Sequence, residues 1–76
     1  MNNARRKQIR CVADTLSNAL SLLEDIKSEE EDSLNNIPEN MQSSERYRIS
    51  ENAVDALDEA VSSIEEALSS LDSSIE

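Results

Sequence analysis

From Ala53 to Glu76 the chain repeats every seven residues. Ala53-Val54-Asp55-Ala56-Leu57-Asp58-Glu59 is followed by Ala60-Val61-Ser62-Ser63-Ile64-Glu65-Glu66. Ala67-Leu68-Ser69-Ser70-Leu71-Asp72-Ser73 and the partial unit Ser74-Ile75-Glu76 complete the series. Each full unit places alanine first, a branched aliphatic second and a large aliphatic fifth. Those positions share one face of an α-helix, and the acids fall mostly off it. A seven-residue period held over this length describes a helix that lies along another helix.

The partner helix is found upstream. Ile9, Val12, Leu16, Ala19, Leu23 and Ile26 recur at alternating spacings of three and four. Ala13 and Leu20 widen that stripe on one side and Leu22 on the other. The pattern predicts a first helix over residues 3–32. Residues 33–43 break it, because Asn and Ser compete for backbone hydrogen bonds and Pro38 lacks an N–H. Pro38 suits the first position of a short helical turn. Leu34, Ile37 and Met41 are apolar enough to fold back over one end of the helix pair. Ser43 or Ser44 then caps a second helix over residues 44–74, with Glu45 in its first turn. In 76 residues there is no glycine and one proline, so few other turns are available.

Charge orients the two helices. Arg5, Arg6, Lys7 and Arg10 open the first helix, and acids dominate its remainder. Arg46 and Arg48 open the second, which carries only acids from Ile49 onward. Each helix therefore opposes its own macrodipole. Antiparallel packing relieves this by laying Arg5, Arg6, Lys7 and Arg10 beside Glu65, Glu66, Asp72 and Glu76. It also lays Arg46 and Arg48 beside Asp25 and the run Glu29 to Asp32. Parallel packing would stack acid on acid. The fold class expected is all-α, an antiparallel two-helix hairpin.

One hairpin seam does not use all the apolar surface. The row Ala53, Ala60, Ala67 is expected to allow close helix approach, leaving the row Val54, Val61, Leu68, Ile75 to face a third helix. Two chains meeting in a four-helix bundle would bury both. The residues assigned to helix packing and oligomerisation are Leu16, Leu20, Leu23, Val54, Leu57, Val61, Ile64 and Leu68.

The composition excludes most chemistry. With no His, one Cys and no Gly, there is no phosphate cradle, zinc set or nucleophile–base pair, and no cofactor is expected. Asp55, Asp58 and Glu59, or Glu29 to Asp32, are the only groups that could hold Mg²⁺, as carboxylates do in all-α nucleotide pyrophosphohydrolases. They lie outside the apolar stripe, which favours a solvated acidic face and argues against an enzyme. Cys11 has no resolving partner and suits a reducing cytosol. Residues 5–10 are basic, but the polar stretch after them disfavours a signal peptide. No segment is apolar enough to span a bilayer. The net charge of −10 disfavours nucleic acid and anionic membrane, and favours a partner with a basic surface. Tyr47 is expected to pack at the loop end of the hairpin.

Asn36-Ile37-Pro38-Glu39-Asn40-Met41-Gln42-Ser43-Ser44-Glu45-Arg46, followed by the acidic heptads, resembles very small helical-hairpin proteins of Firmicutes bacteria and their phages or prophages. Their loop often reads Leu-Pro-Glu-Asn-Leu-Gln with Ser-Glu-Arg after it. This chain has Ile37 and Met41 in place of the leucines, and a more serine-rich final helix. The resemblance implies a phage-related accessory protein in the bacterial host cytosol, and no particular mechanism.

Together these features lead us to expect a non-enzymatic interaction protein that binds and inhibits or modulates a host protein, such as a defence component. Asp55, Asp58, Glu59, Glu65 and Glu66 are the expected partner contacts. The alternatives are a DNA mimic that occupies a nucleic-acid-binding protein, and a virion assembly or scaffold factor. Antiparallel orientation has a direct test. Changing Arg5, Arg6 and Arg10 together to Glu should lower the urea midpoint, and more so at low salt, because like charges would then meet at one end.

Overall fold

The computed structural model describes all residues, Met1–Glu76. Helix α1 spans Asn3–Asn35 and helix α2 spans Glu45–Ser74, joined through a 3₁₀ turn at Glu39–Met41. They lie antiparallel. Near the loop, Lys27 reaches Asp58 and Glu30 reaches Ser50. At the open end, Ile75 lines a shallow pocket with Arg6 and Arg10. The hairpin is a rod of 59 × 15 × 13 Å with a radius of gyration of 17.4 Å. A compact chain of this length would have a radius of about 11 Å.

Side-chain capping fixes where each helix begins. Asn2 Oδ1 accepts a hydrogen bond from the Arg5 N–H at 2.8 Å, and Ser44 Oγ accepts one from the Tyr47 N–H at 3.3 Å. Each satisfies an N–H that the first turn leaves without a partner. Helix α1 continues three residues beyond its predicted end at 32. Leu34 continues the seam row and is half-buried, so the extra turn gains an apolar contact. The helix then stops ahead of Pro38, whose ring disfavours helical geometry in the residue before it. Pro38 itself is extended, at φ −58° and ψ 146°, and precedes the short turn instead of starting it. Its carbonyl accepts from the Met41 N–H at 2.9 Å. Leu34 and Ile37 are half-buried, whereas Met41 is 46% exposed and does not cover the helix ends as expected.

A single seam holds the helices together. Its half-buried positions in α1 are Arg6, Ile9, Ala13, Leu16, Leu20, Leu23, Lys27, Glu30 and Leu34. In α2 the row is Tyr47, Ser50, Val54, Leu57, Val61, Ile64, Leu68 and Leu71, continued by Ile75 just past the helix, with Ala53 and Ala60 half-buried beside it. Both rows alternate three and four, the spacing of a coiled-coil seam. Only Val61 is buried, at 8% exposure.

The seam is rotated from the expected one. In α1 it runs through Ala13 and Leu20, while Val12 and Ile26 are each 51% exposed and Ala19 is also exposed. In α2 the Val54, Val61, Leu68, Ile75 row packs within the chain, and the alanine row sits beside the seam. The larger aliphatics bury more area there than alanines would, at about 25 cal/mol per Å². Leu16, Leu20, Leu23, Val54, Leu57, Val61, Ile64 and Leu68 all lie in this intramolecular seam.

The seam should carry the stability. Leu57→Ala or Leu20→Ala is expected to cost about 2 kcal/mol, the low end for core leucines because both sites are half-exposed. Ser62→Ala or Ser69→Ala, on the exposed surface, should change stability by less than about 0.5 kcal/mol. Urea denaturation of the four variants measures the contrast.

Candidate interaction surface

A seam with a 3-4 rhythm divides the rest of each helix into two flanks. Residues directly after a seam position lie on one side of the hairpin, and residues directly before it lie on the other. The two helices contribute to common sides. Lys27 joins Glu31 of its own helix to Asp58 of α2, both following seam positions. Ser33, Arg46 and Ile49, which precede seam positions, line one shallow pocket.

The two sides differ completely in chemistry. The first carries Asp14, Glu24 and Glu31 from α1 and Glu51, Asp55, Asp58, Glu65 and Asp72 from α2, with the cations Lys7, Arg10 and Arg48 toward its ends. All are exposed except the half-buried Glu31. The second carries Val12, Thr15, Ala19, Leu22 and Ile26 from α1 and Ile49, Ala53, Ala56, Ala60, Ser63 and Ala67 from α2. Its only charges stand toward the ends, on Arg5, Glu29 and Arg46. Between its charged ends, one side of the hairpin is acidic and the other is uncharged.

Of the expected partner contacts, Asp55, Asp58 and Glu65 lie on the acidic side. Glu59 and Glu66 lie on the outer back of α2, next to it. All five are exposed. The structure adds Glu24 and Glu31, which a reading confined to α2 overlooked. Their signal was their place directly after Leu23 and Glu30 in the seam rhythm.

Asp58 finds on the opposite helix the base that its own helix does not supply from Ile49 onward. The Lys27 Nζ donates to its Oδ1 at 2.7 Å and stands 3.6 Å from Glu31 Oε1. Lys27 occupies a seam position with its side chain 25% exposed, and its ammonium leans out between two carboxylates. The hydrogen bond to Asp58 holds its pKa above the ordinary 10.5; partial burial pulls the other way, and the charges of Asp58 and Glu31 add to the rise. One step toward the loop, the Ser50 hydroxyl donates to Glu30 Oε1 at 2.7 Å.

No other ion pair crosses between the helices. The remaining one, Arg48 to Glu45 at 3.8 Å, is local to α2. The pairs expected from Arg5, Arg6, Lys7, Arg10 and Arg46 do not form within 4.0 Å. Exposed pairs gain little and restrict long side chains, so the arginines stay solvated and the attraction is diffuse. Asp14, Glu24, Glu51, Asp55, Glu65 and Asp72 likewise have no cation within that distance.

No group of three or more His, Cys, Asp or Glu is placed to hold a metal ion. The runs Asp55 to Glu59 and Glu29 to Asp32 point around their helices and do not converge. Cys11 is exposed on the back of α1. No helix is long and apolar enough to cross a membrane. No family model, curated protein or solved structure matches the chain.

The Lys27 contact has a measurable pH signature. Because its pKa is raised in the fold, its contribution to stability is fully present below 10.5 and is lost as pH rises through the raised value. Stability of the wild type should therefore fall relative to Lys27→Met once the pH passes 10.5, as followed by urea midpoints.

Proposed function

We propose that the chain is a non-enzymatic binding protein that works as a homo-oligomer and engages a protein with a basic surface through its acidic side. The observation that carries this is the row of acids on one side of the hairpin, all but Asp58 and Glu31 without a cation within 4.0 Å, and no assembled catalytic or metal-binding group beside it. Such a row destabilises the compact state slightly by self-repulsion. Retaining it is useful where it accelerates capture of a basic partner. Oligomerisation takes the form of two hairpins packed as a four-helix bundle, since one seam leaves large aliphatic side chains in water.

The resemblance to phage and prophage hairpin proteins supports a host protein as the target, such as a defence component, met in the bacterial cytosol. Spacing supports general charge attraction over imitation of DNA. Acids on the acidic side of α2 stand three to seven residues apart, about 5–10 Å along the axis. Duplex DNA carries a charge about every 1.7 Å. The action is stoichiometric, with no substrate turned over.

Neutralising Asp55, Glu59, Glu65 and Glu66 to Asn or Gln leaves Asp58 with Lys27 and tests the assignment. A target is first captured from host cytosol with the chain tagged at either end, then titrated with both proteins. The neutralised chain should keep its helicity and mass while associating about tenfold more slowly at low salt, an effect that vanishes at high salt. Unchanged association, or turnover of a substrate by the wild type, would overturn the proposal.

A further inference from the structure

We infer that the uncharged side of the hairpin is the surface on which a second copy of this chain packs, with the two loops at the same end and α1 of each chain over α2 of the other. The inference rests on the self-association proposed above and assigns it a face and an arrangement.

Exposed apolar side chains locate the face. Apart from Met1 and Met41 at the ends of the rod, the exposed large hydrophobic residues are Val12, Leu22, Ile26 and Ile49, between 51% and 65% exposed. All four lie on the uncharged side, where they form one patch with the alanines of α2. A patch of this kind in water marks an interaction surface.

The area fits one more hairpin. The chain exposes 5748 Å². A compact chain of its mass would expose about 4,650 Å², roughly 1,100 Å² less. Stable interfaces bury about 800 Å² on each partner. Covering one side of the rod would remove the excess.

Charge selects a second copy as the occupant. Every copy carries a net charge of −10, so self-association is opposed wherever acids meet. On the uncharged side the only acid is Glu29, set against Arg5 and Arg46. This is the side from which repulsion between copies has been removed.

Shape selects the arrangement. On this side α1 presents large residues and α2 presents small ones. A two-fold axis parallel to the helices lays large over small in both halves of the pair at once. The Glu30–Ser50 contact sets the level of one helix against the other. By that level Ile26 meets the partner's Ala53, and Val12 meets the partner's Ala67. Reversing one hairpin would instead stack α1 on α1, large on large, and leave the alanine rows facing each other.

Sedimentation equilibrium of the wild type should give twice the chain mass of 8.5 kDa. Leu22→Glu should weaken the dimer by about 100-fold or more, because it buries two unpaired charges, one from each chain. Ser17→Glu adds the same charge on the acidic side and should leave the dimer intact. A disulfide test does not depend on tolerance of a buried charge. In a Cys11→Ser background, chains bearing Val12→Cys are mixed with chains bearing Ala67→Cys and oxidised. Mixed disulfide dimers should form, and chains bearing Ser17→Cys mixed with chains bearing Glu65→Cys should give none. A helical wild type that sediments at 8.5 kDa at every concentration would overturn both this inference and the proposed self-association. A dimer unaffected by Leu22→Glu, or one giving no mixed disulfide, would overturn the face or the arrangement alone.

Discussion

A single line of contact between two helices governs the whole molecule. The seam, aliphatic from Ile9 to Leu23 against Val54 to Ile75, is where the chain removes most of its apolar surface from water. It leaves one residue, Val61, buried. With so little interior, the rotation of each helix about its axis decides everything else. It determines which residues join the seam, and therefore which become the two flanks. Had α1 turned by one residue, Val12 and Ile26 would be inside and Lys27 in solvent. The separation into an acidic and an uncharged side would be lost.

Much of this was legible from the residues themselves, and the part that was not has a definite cause. Period, helix count and antiparallel order follow from the heptads and from the placement of Arg5 to Arg10 and Arg46 to Arg48, which are one-dimensional signals. The Ser44 cap was equally local. Rotation was not, because α1 offers two apolar rows of similar strength, Ala13–Leu20 and Val12–Ile26. Choosing between them requires the joint burial of both helices. The β-branched row of α2 wins the seam over its alanine row on area, and α1 turns to match. The end of α1 was misplaced for a related reason, since Leu34 gains only from a contact made in three dimensions. The acidic surface was legible in α2, where no base interrupts it, and obscured in α1, where Glu24 and Glu31 are scattered among other acids.

Electrostatics act here at two ranges with different outcomes. Over the length of the rod, the charge pattern favours the antiparallel order without any arginine closing an ion pair to the opposite helix. At contact distance, one lysine forms the cross-helix bridge, and it does so from inside the seam. A polar residue at a seam position commonly specifies register at some loss of stability. Lys27 fits that description. In this register it meets Asp58 at 2.7 Å, and sliding α2 by a turn would set it beside Ser62 or Asp55 instead.

The polar end of the seam has a further consequence for how the hairpin breathes. From Lys27 toward the loop, seam positions are filled by Lys27, Glu30, Ser50 and Tyr47 with Leu34 the one aliphatic, whereas from Leu23 to the open end they are mainly aliphatic. Local opening takes least free energy where apolar contacts are fewest. The covalently joined end is therefore the end held least tightly by packing, and the free ends are zipped more firmly. Amide protection along each helix would then rise with distance from the connecting turn, until terminal fraying reverses it. A ligand that grips the acidic side near Asp58 would compete for the clasp that closes the weaker end.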